Sequence, residues 1–220
     1  MPHTTPEFTV SEAAFVLDRP KRAIDRAIDQ GEIDLVVQTS SGTIYDIELK
    51  TPRRAIGRAE LRYLMCVHTG LYNDLNPTGR RRIYQAIKKT PLNDHLVPWH
   101  GTVLTLDSVD EALNSGLERL EALRSAVDFE TRDEPVLRGT DVPVHAIAAL
   151  SKGQTTEEIL EDYPGLTREQ LRTATDYATA YPKAGRPYPA QSLKRMVGAL
   201  AEAGAFDAQP DEPVTIDDFR

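Results

Sequence analysis

Residues 9–33 read TVSEAAFVLDRPKRAIDRAIDQGEI, and this stretch decides the fold class of the chain's front half. Thr9 and Glu12 stand at capping-box spacing, which predicts a helix starting near Val10. Ala13, Ala14 and Leu17 give that helix one apolar face. The triplet ending at Pro20 breaks it, and proline suits the first position of a second helix. Ala23, Ile24, Ala27 and Ile28 then recur at helical spacing, and Gly31 supplies a stop. Two short helices joined by a tight turn predict a helix-turn-helix. Lys21, Arg22 and Arg26 fall at the start of its second helix, where such a motif meets the groove of DNA.

Outward from this motif, residues 33–49 (IDLVVQTSSGTIYDIEL) place two β-rich runs around a Ser-Ser-Gly turn, the pattern of a hairpin acting as a wing. Arg53 and Arg54 follow and join Lys21, Arg22 and Arg26 as candidate DNA contacts. The opening TVSEAA looks like the start of MerR-like and excisionase-like DNA-binding modules. RAELRYLMCV predicts a third helix, and Arg80, Arg81 and Arg82 open another basic one. GTVLTL at 101–106 predicts a strand, and a helix follows from Ser108 to about Val127.

Charge divides the chain unevenly. Residues 1–90 hold 14 Lys+Arg against 11 Asp+Glu, and residues 91–220 hold 12 against 23, within a net charge of −8. A mildly basic front suits phosphate, and an acidic rear suits a basic protein partner. No apolar run is long enough to span a bilayer, and MPHTTPEFTV carries no secretory pattern, so a cytoplasmic protein without a membrane partner is expected. The single cysteine, Cys66, reads as a buried core residue and fits a reducing compartment.

Residues 136–178 read VLRGTDVPVHAIAALSKGQTTEEILEDYPGLTREQLRTATDYA. The order of Gly139-Thr140, Pro143-Val144, Ile147-Ala148, the run Glu157 to Pro164, and Leu166-Thr167 resembles the domain of unknown function 433. Members of that family are mostly antitoxins, commonly encoded beside a PIN-like ribonuclease toxin. With its added front region the layout resembles the larger VapB-type antitoxins. The resemblance implies a homodimer that represses its own operon at an operator DNA and neutralises the toxin; the sequence carries no metal-ligand spacing and no cofactor motif, so no cofactor and no metal are expected. Asp141 stands where the family often has arginine, so DNA contact is expected from the front module and dimerisation from this one. Val142, Val144, Ile147, Tyr163, Leu166, Leu171 and Tyr177 exceed what a unit of about 40 residues buries alone, and predict the dimer interface.

After Pro182 the chain turns proline-rich, which predicts a tether that is poorly ordered alone. Leu193, Met196, Val197 and Leu200 then form an amphipathic stripe, followed by an acidic end. Tyr188, this stripe, Phe206 and the terminal Arg220 are the candidate toxin contacts. The fold expected is mainly α with small β elements. A winged helix-turn-helix-like region spans 1–100, a helix-turn-helix-like three-helix module 101–181, and an extended, flexible toxin-binding tail 182–220.

One enzymatic pattern competes. Asp34 at a strand start and Glu48-Leu49-Lys50 on the next strand have the spacing of a PD-(D/E)xK nuclease. There, two carboxylates would hold Mg²⁺ and the lysine would steady the phosphorane charge. The same residues also read as an ordinary salt-bridged wing, and the antitoxin reading assigns no catalytic residue.

Overall fold

The computed structural model of the chain describes residues 8–34, 36–38, 53–70, 75–99, 101–129 and 134–203. Among these, helices dominate and the strands are short. The described residues divide into two compact units: the first runs up to Asp128 and takes in Asp176–Pro182; the second comprises Phe129–Thr175 and the chain from Lys183 onward.

In the first unit, β1 (Phe8–Thr9) leads into α1 (Val10–Val16), α2 (Lys21–Asp29), β2 (Val36–Gln38) and β3 (Arg53–Ile56). The three strands form one antiparallel sheet in the order β1-β3-β2, with Phe8 opposite Ile56 and Val37 opposite Arg54. The predicted capping box is present: the Thr9 N–H donates to Glu12 Oε2 at 2.8 Å and the Glu12 N–H to Thr9 Oγ1 at 3.2 Å. Pro20 is the N-cap of α2 rather than its first helical residue, and its fixed φ of −58° pre-sets the turn into the helix. Of the hairpin expected over residues 33–49, the described residues hold only the first strand, β2. β2 pairs with Arg53–Ile56, a run whose arginines mark it in the sequence as a basic patch. The expected second strand lies outside the described residues.

α3 (Arg58–His68) and α4 (Pro77–Lys89) pack together, and β4 (Leu96–Trp99) forms a hairpin with β5 (Thr102–Thr105). α5 (Asp107–Ser125) lies on both α1 and α3. Its Val109, Leu113, Leu120 and Leu123 are buried, as are Ala13, Val16 and Leu17 of the α1 segment. α5 thus belongs to the first unit, where it closes the core that α1 and α3 open. Cys66 is fully buried, and burial pushes its thiol up to about 12.

β6 (Val127–Phe129) carries the chain onward to the second unit. There β7 (Pro135–Leu137) precedes α6 (Val144–Leu150), α7 (Thr156–Asp162) and the start of α8 (Arg168–Ala180), and α9 (Leu193–Glu202) follows. Thr155 and Glu158 close a second predicted capping box. No helix among the described residues is long and apolar enough to cross a membrane.

Candidate nucleic-acid interface

α2 turns Ile24, Ala27 and Ile28 into the core and leaves Lys21, Arg22 and Arg26 exposed on its other side. These three cations form no ion pair with a described residue. The acids of the same helix are answered from the sheet: Arg54 Nη1 lies 3.1 Å from Asp29 Oδ1 and 3.8 Å from Asp25 Oδ1. Arg54, a candidate DNA contact in the sequence, is thus engaged with α2. It offsets the carboxylate charge of Asp25 and Asp29. Arg53 sits in β3 opposite Gln38, and its side chain lies outside the described residues.

Asp34 is spanned by two cations of α4. Arg81 Nη2 is 2.6 Å from Oδ1 and Lys88 Nζ is 2.8 Å from Oδ2. Beneath them, the Asp34 N–H donates to Tyr84 Oη at 3.1 Å, and Tyr84 Oη donates to the buried Glu60 Oε1 at 2.6 Å. Lys88 Nζ also stands 3.3 Å from Glu60 Oε1. The hydrogen bonds from Lys88 and then Arg81 hold the Asp34 carboxyl down at about 2. Burial and the bond to Glu60 raise the Tyr84 phenol well above its ordinary value. A metal at Asp34 would have to displace both cations from its oxygens. Glu48 and Lys50, the other residues of the nuclease pattern, lie outside the described residues. No group of three or more His, Cys, Asp or Glu among the described residues is placed to hold a metal ion.

The sign of the Asp34 contribution follows from its depressed pKa. The stabilisation is fully present above the unfolded value near 3.8 and is lost as pH falls through about 2. Asp34 is 39% exposed, so solvent screens the pair, and Asp34→Asn is expected to cost below about 1 kcal/mol at pH 7. The difference in urea midpoint between wild type and variant should shrink between pH 4 and pH 2. An undiminished difference at pH 2 would show that the carboxylate charge is not what the cations hold.

In the second unit the residues expected to form a dimer interface are mostly core. Val144, Ile147, Leu166 and Leu171 are buried within the chain, and Val142 and Tyr163 are half-buried. Tyr177 belongs to the first unit, where it is buried and stacks on Tyr181 at 4.7 Å. These apolar side chains are thus mostly buried within the chain, and the second unit also takes in residues from Lys183 onward.

The tether expected to be poorly ordered is tied down. Lys183 Nζ is 3.0 Å from Glu134 Oε1, and the Tyr188 hydroxyl donates to the same oxygen. Tyr188, a candidate toxin contact, therefore engages its hydroxyl inside its own unit. Further along, Ser192 Oγ donates to Asp162 Oδ2 at 2.6 Å. Arg195 reaches Glu158, Glu161 and Asp162 at 3.1, 3.2 and 3.1 Å. These contacts fix the start of α9 to α7 and hold the Asp162 carboxyl far below its ordinary value, Ser192 and Gln154 contributing most. The apolar stripe is left outward: Leu193 is 75% exposed, and Met196, Val197 and Leu200 are exposed with it. Phe206, Arg220 and the acidic end lie outside the described residues.

Residues 133–178 match a family model described as "Protein of unknown function (DUF433)", which brackets the 136–178 stretch that carries the resemblance. The chain is also similar to a protein of Sinorhizobium fredii (strain NBRC 101917 / NGR234) named "Uncharacterized protein y4eO". The two are 36% identical over 114 residues, 49% of this chain and 48% of the relative. The chain thus spans about half the length of the curated relative it matches. No solved structure matches it.

Proposed function

We propose that the chain is the antitoxin of a toxin–antitoxin pair and that α2 is its DNA-reading helix. The observation that carries this reading is the outer face of α2, where Lys21, Arg22 and Arg26 face solvent while Arg54 answers the acids beside them. Two helices followed by an antiparallel strand pair is the element order of a winged helix-turn-helix, and cations at the start of the second helix suit a major groove. The antitoxin half rests on the resemblance of residues 133–178 to a family whose members are mostly antitoxins of PIN-like ribonucleases. The exposed stripe of α9 gives such a toxin a helix face to take into a groove. Operator binding as a homodimer belongs to the same reading, with an interface other than the buried residues of α6 to α8.

One experiment with two arms tests it. The first measures binding to the DNA upstream of the protein's own reading frame. Arg22→Ala and Arg26→Ala should each weaken binding by about 1–3 kcal/mol if they touch base edges. The second co-expresses the chain with the product of the neighbouring frame. Wild type should restore growth, and Leu193→Asp/Val197→Asp should not. Unchanged DNA binding by Arg22→Ala/Arg26→Ala removes α2 as the reader. Full protection by the α9 variant removes the toxin site from α9.

A further inference from the structure

α4 carries a row of cations that the reading of α2 does not use. Arg82, Gln85 and Lys89 follow one another at i, i+3 and i+7, which puts them on one face of the helix. They line an open groove of about 990 Å³ whose other wall is Gln30–Glu32, at the C-terminal end of α2, with Leu96 and Pro98 of β4. Two more arginines reach this groove but are engaged. Arg80 pairs with Glu32 at 3.5 Å, and Arg81 with Asp34 at 2.6 Å. Of the acids at the groove, Glu32 is thereby answered, and Asp94 accepts the Leu96 N–H of its own loop at 2.9 Å. Arg82 and Lys89 are exposed and form no ion pair with a described residue. The groove is therefore net cationic, open, and continuous with the end of the helix whose cations face solvent.

We infer that this groove is a phosphodiester-backbone site: α4 grips the flank of the duplex that α2 reads, Arg82 and Lys89 each taking a phosphate. The inference rests on the reading of α2 as a DNA-contacting helix. Its geometry suits a polymer of charges. Seven helical residues advance about 10.5 Å, and a DNA strand carries one charge per about 3.4 Å of axis, so the pair spans about three steps of one strand. Gln85 between them adds an amide that can bond a phosphate oxygen or sugar. Contacts of this kind fix register and carry no sequence preference.

The test uses the full chain and a fluorescent 30-base-pair duplex of random sequence, titrated from 50 to 200 mM KCl, with the upstream DNA in parallel. The wild-type slope of log K against log salt should flatten by about 1 for each phosphate no longer neutralised, so by about 2 in Arg82→Ala/Lys89→Ala. That double variant should bind roughly two-hundredfold more weakly at 50 mM and roughly twentyfold more weakly at 200 mM, and equally so on both DNAs. Arg82→Lys/Lys89→Arg should keep the wild-type slope. A wild-type slope in the alanine variant overturns the inference. If Arg22→Ala/Arg26→Ala still loses preference for the upstream DNA in that case, the α2 reading survives. If the α2 variant has no effect while the α4 variant flattens the slope, the groove stands and α2 is not the reader. Absence of wild-type binding at 50 mM overturns both. Competition by single-stranded 30-nucleotide RNA at lower concentration than the duplex, dependent on Arg82 and Lys89, overturns the assignment to duplex DNA.

Discussion

Arg62→Ala is expected to destabilise the first unit by about 3–5 kcal/mol, the range for leaving a buried charge without its partner. Arg62 is 1% exposed and each of its three guanidinium nitrogens has a partner. Nε donates to Asp110 Oδ1 at 2.6 Å, Nη2 to Asp110 Oδ2 and to the Asp94 carbonyl, and Nη1 to the Pro91 carbonyl at 3.5 Å. One side chain thereby joins α3, the first turn of α5 and the loop before β4. Removing it strands Asp110, whose side chain is 11% exposed, with His95 Nδ1 at 2.6 Å as its remaining side-chain partner. Arg62→Met/Asp110→Leu should recover most of the loss, because an apolar pair of similar volume carries no desolvation cost. Urea unfolding followed at Trp99, the chain's single tryptophan, reads the first unit. A loss below about 1 kcal/mol in Arg62→Ala would mean the pair is solvated and contributes no more than a surface bridge.

Gly116→Val is expected to cost about 3 kcal/mol through a different mechanism, overpacking. Gly116 is buried in the middle of α5, and a Cβ there would stand 2.3 Å from the Val16 carbonyl oxygen and 3.0 Å from Val16 Cγ1. The obstacle is backbone, so it cannot swing aside, and α1 and α5 must part. The helix-propensity gain of about 1 kcal/mol on replacing a mid-helix glycine with alanine is too small to offset this. Gly198 in α9 is the matched control, since a Cβ added there would meet no heavy atom within 4 Å. There Gly198→Ala should gain up to about 1 kcal/mol. Wild-type stability in Gly116→Val would show that the two helices do not approach so closely.

Local signals are readable in the sequence and long-range ones are not. Thr9 with Glu12 and Thr155 with Glu158 predict helix starts because a capping box is complete within four residues. The buried faces of α1 and α2 follow from spacing alone. The β4 strand is hidden because Pro98 interrupts its run, and β1 because two residues carry no periodicity. Arg54 reads as part of a basic patch, yet its partners lie on α2, some 25 residues earlier in the chain. Likewise Asp34 reads as a metal ligand from its neighbours in sequence, whereas Arg81 and Lys88 meet it across the fold. The burial of Val144, Ile147, Leu166 and Leu171 within the chain is set by the extent of their unit, which spacing does not reveal. The stripe on α9 is legible as a stripe, and its exposure is what the fold adds.

The contact between Arg124 and Glu12 also sets a clock. Arg124 Nη2 donates to Glu12 Oε1 at 2.7 Å, on the same carboxylate whose other oxygen closes the cap of α1. α1 is thus held by the far end of α5. Ribosomes add about 5–20 residues per second, so about 5–20 s separate the synthesis of α2 from that of Arg124. Throughout that interval the nascent front of the chain lacks its closing helix and shows the α1 surface that α5 will cover. A product ending before α5 would present as an open apolar face the α1 surface that α5 covers in the full chain.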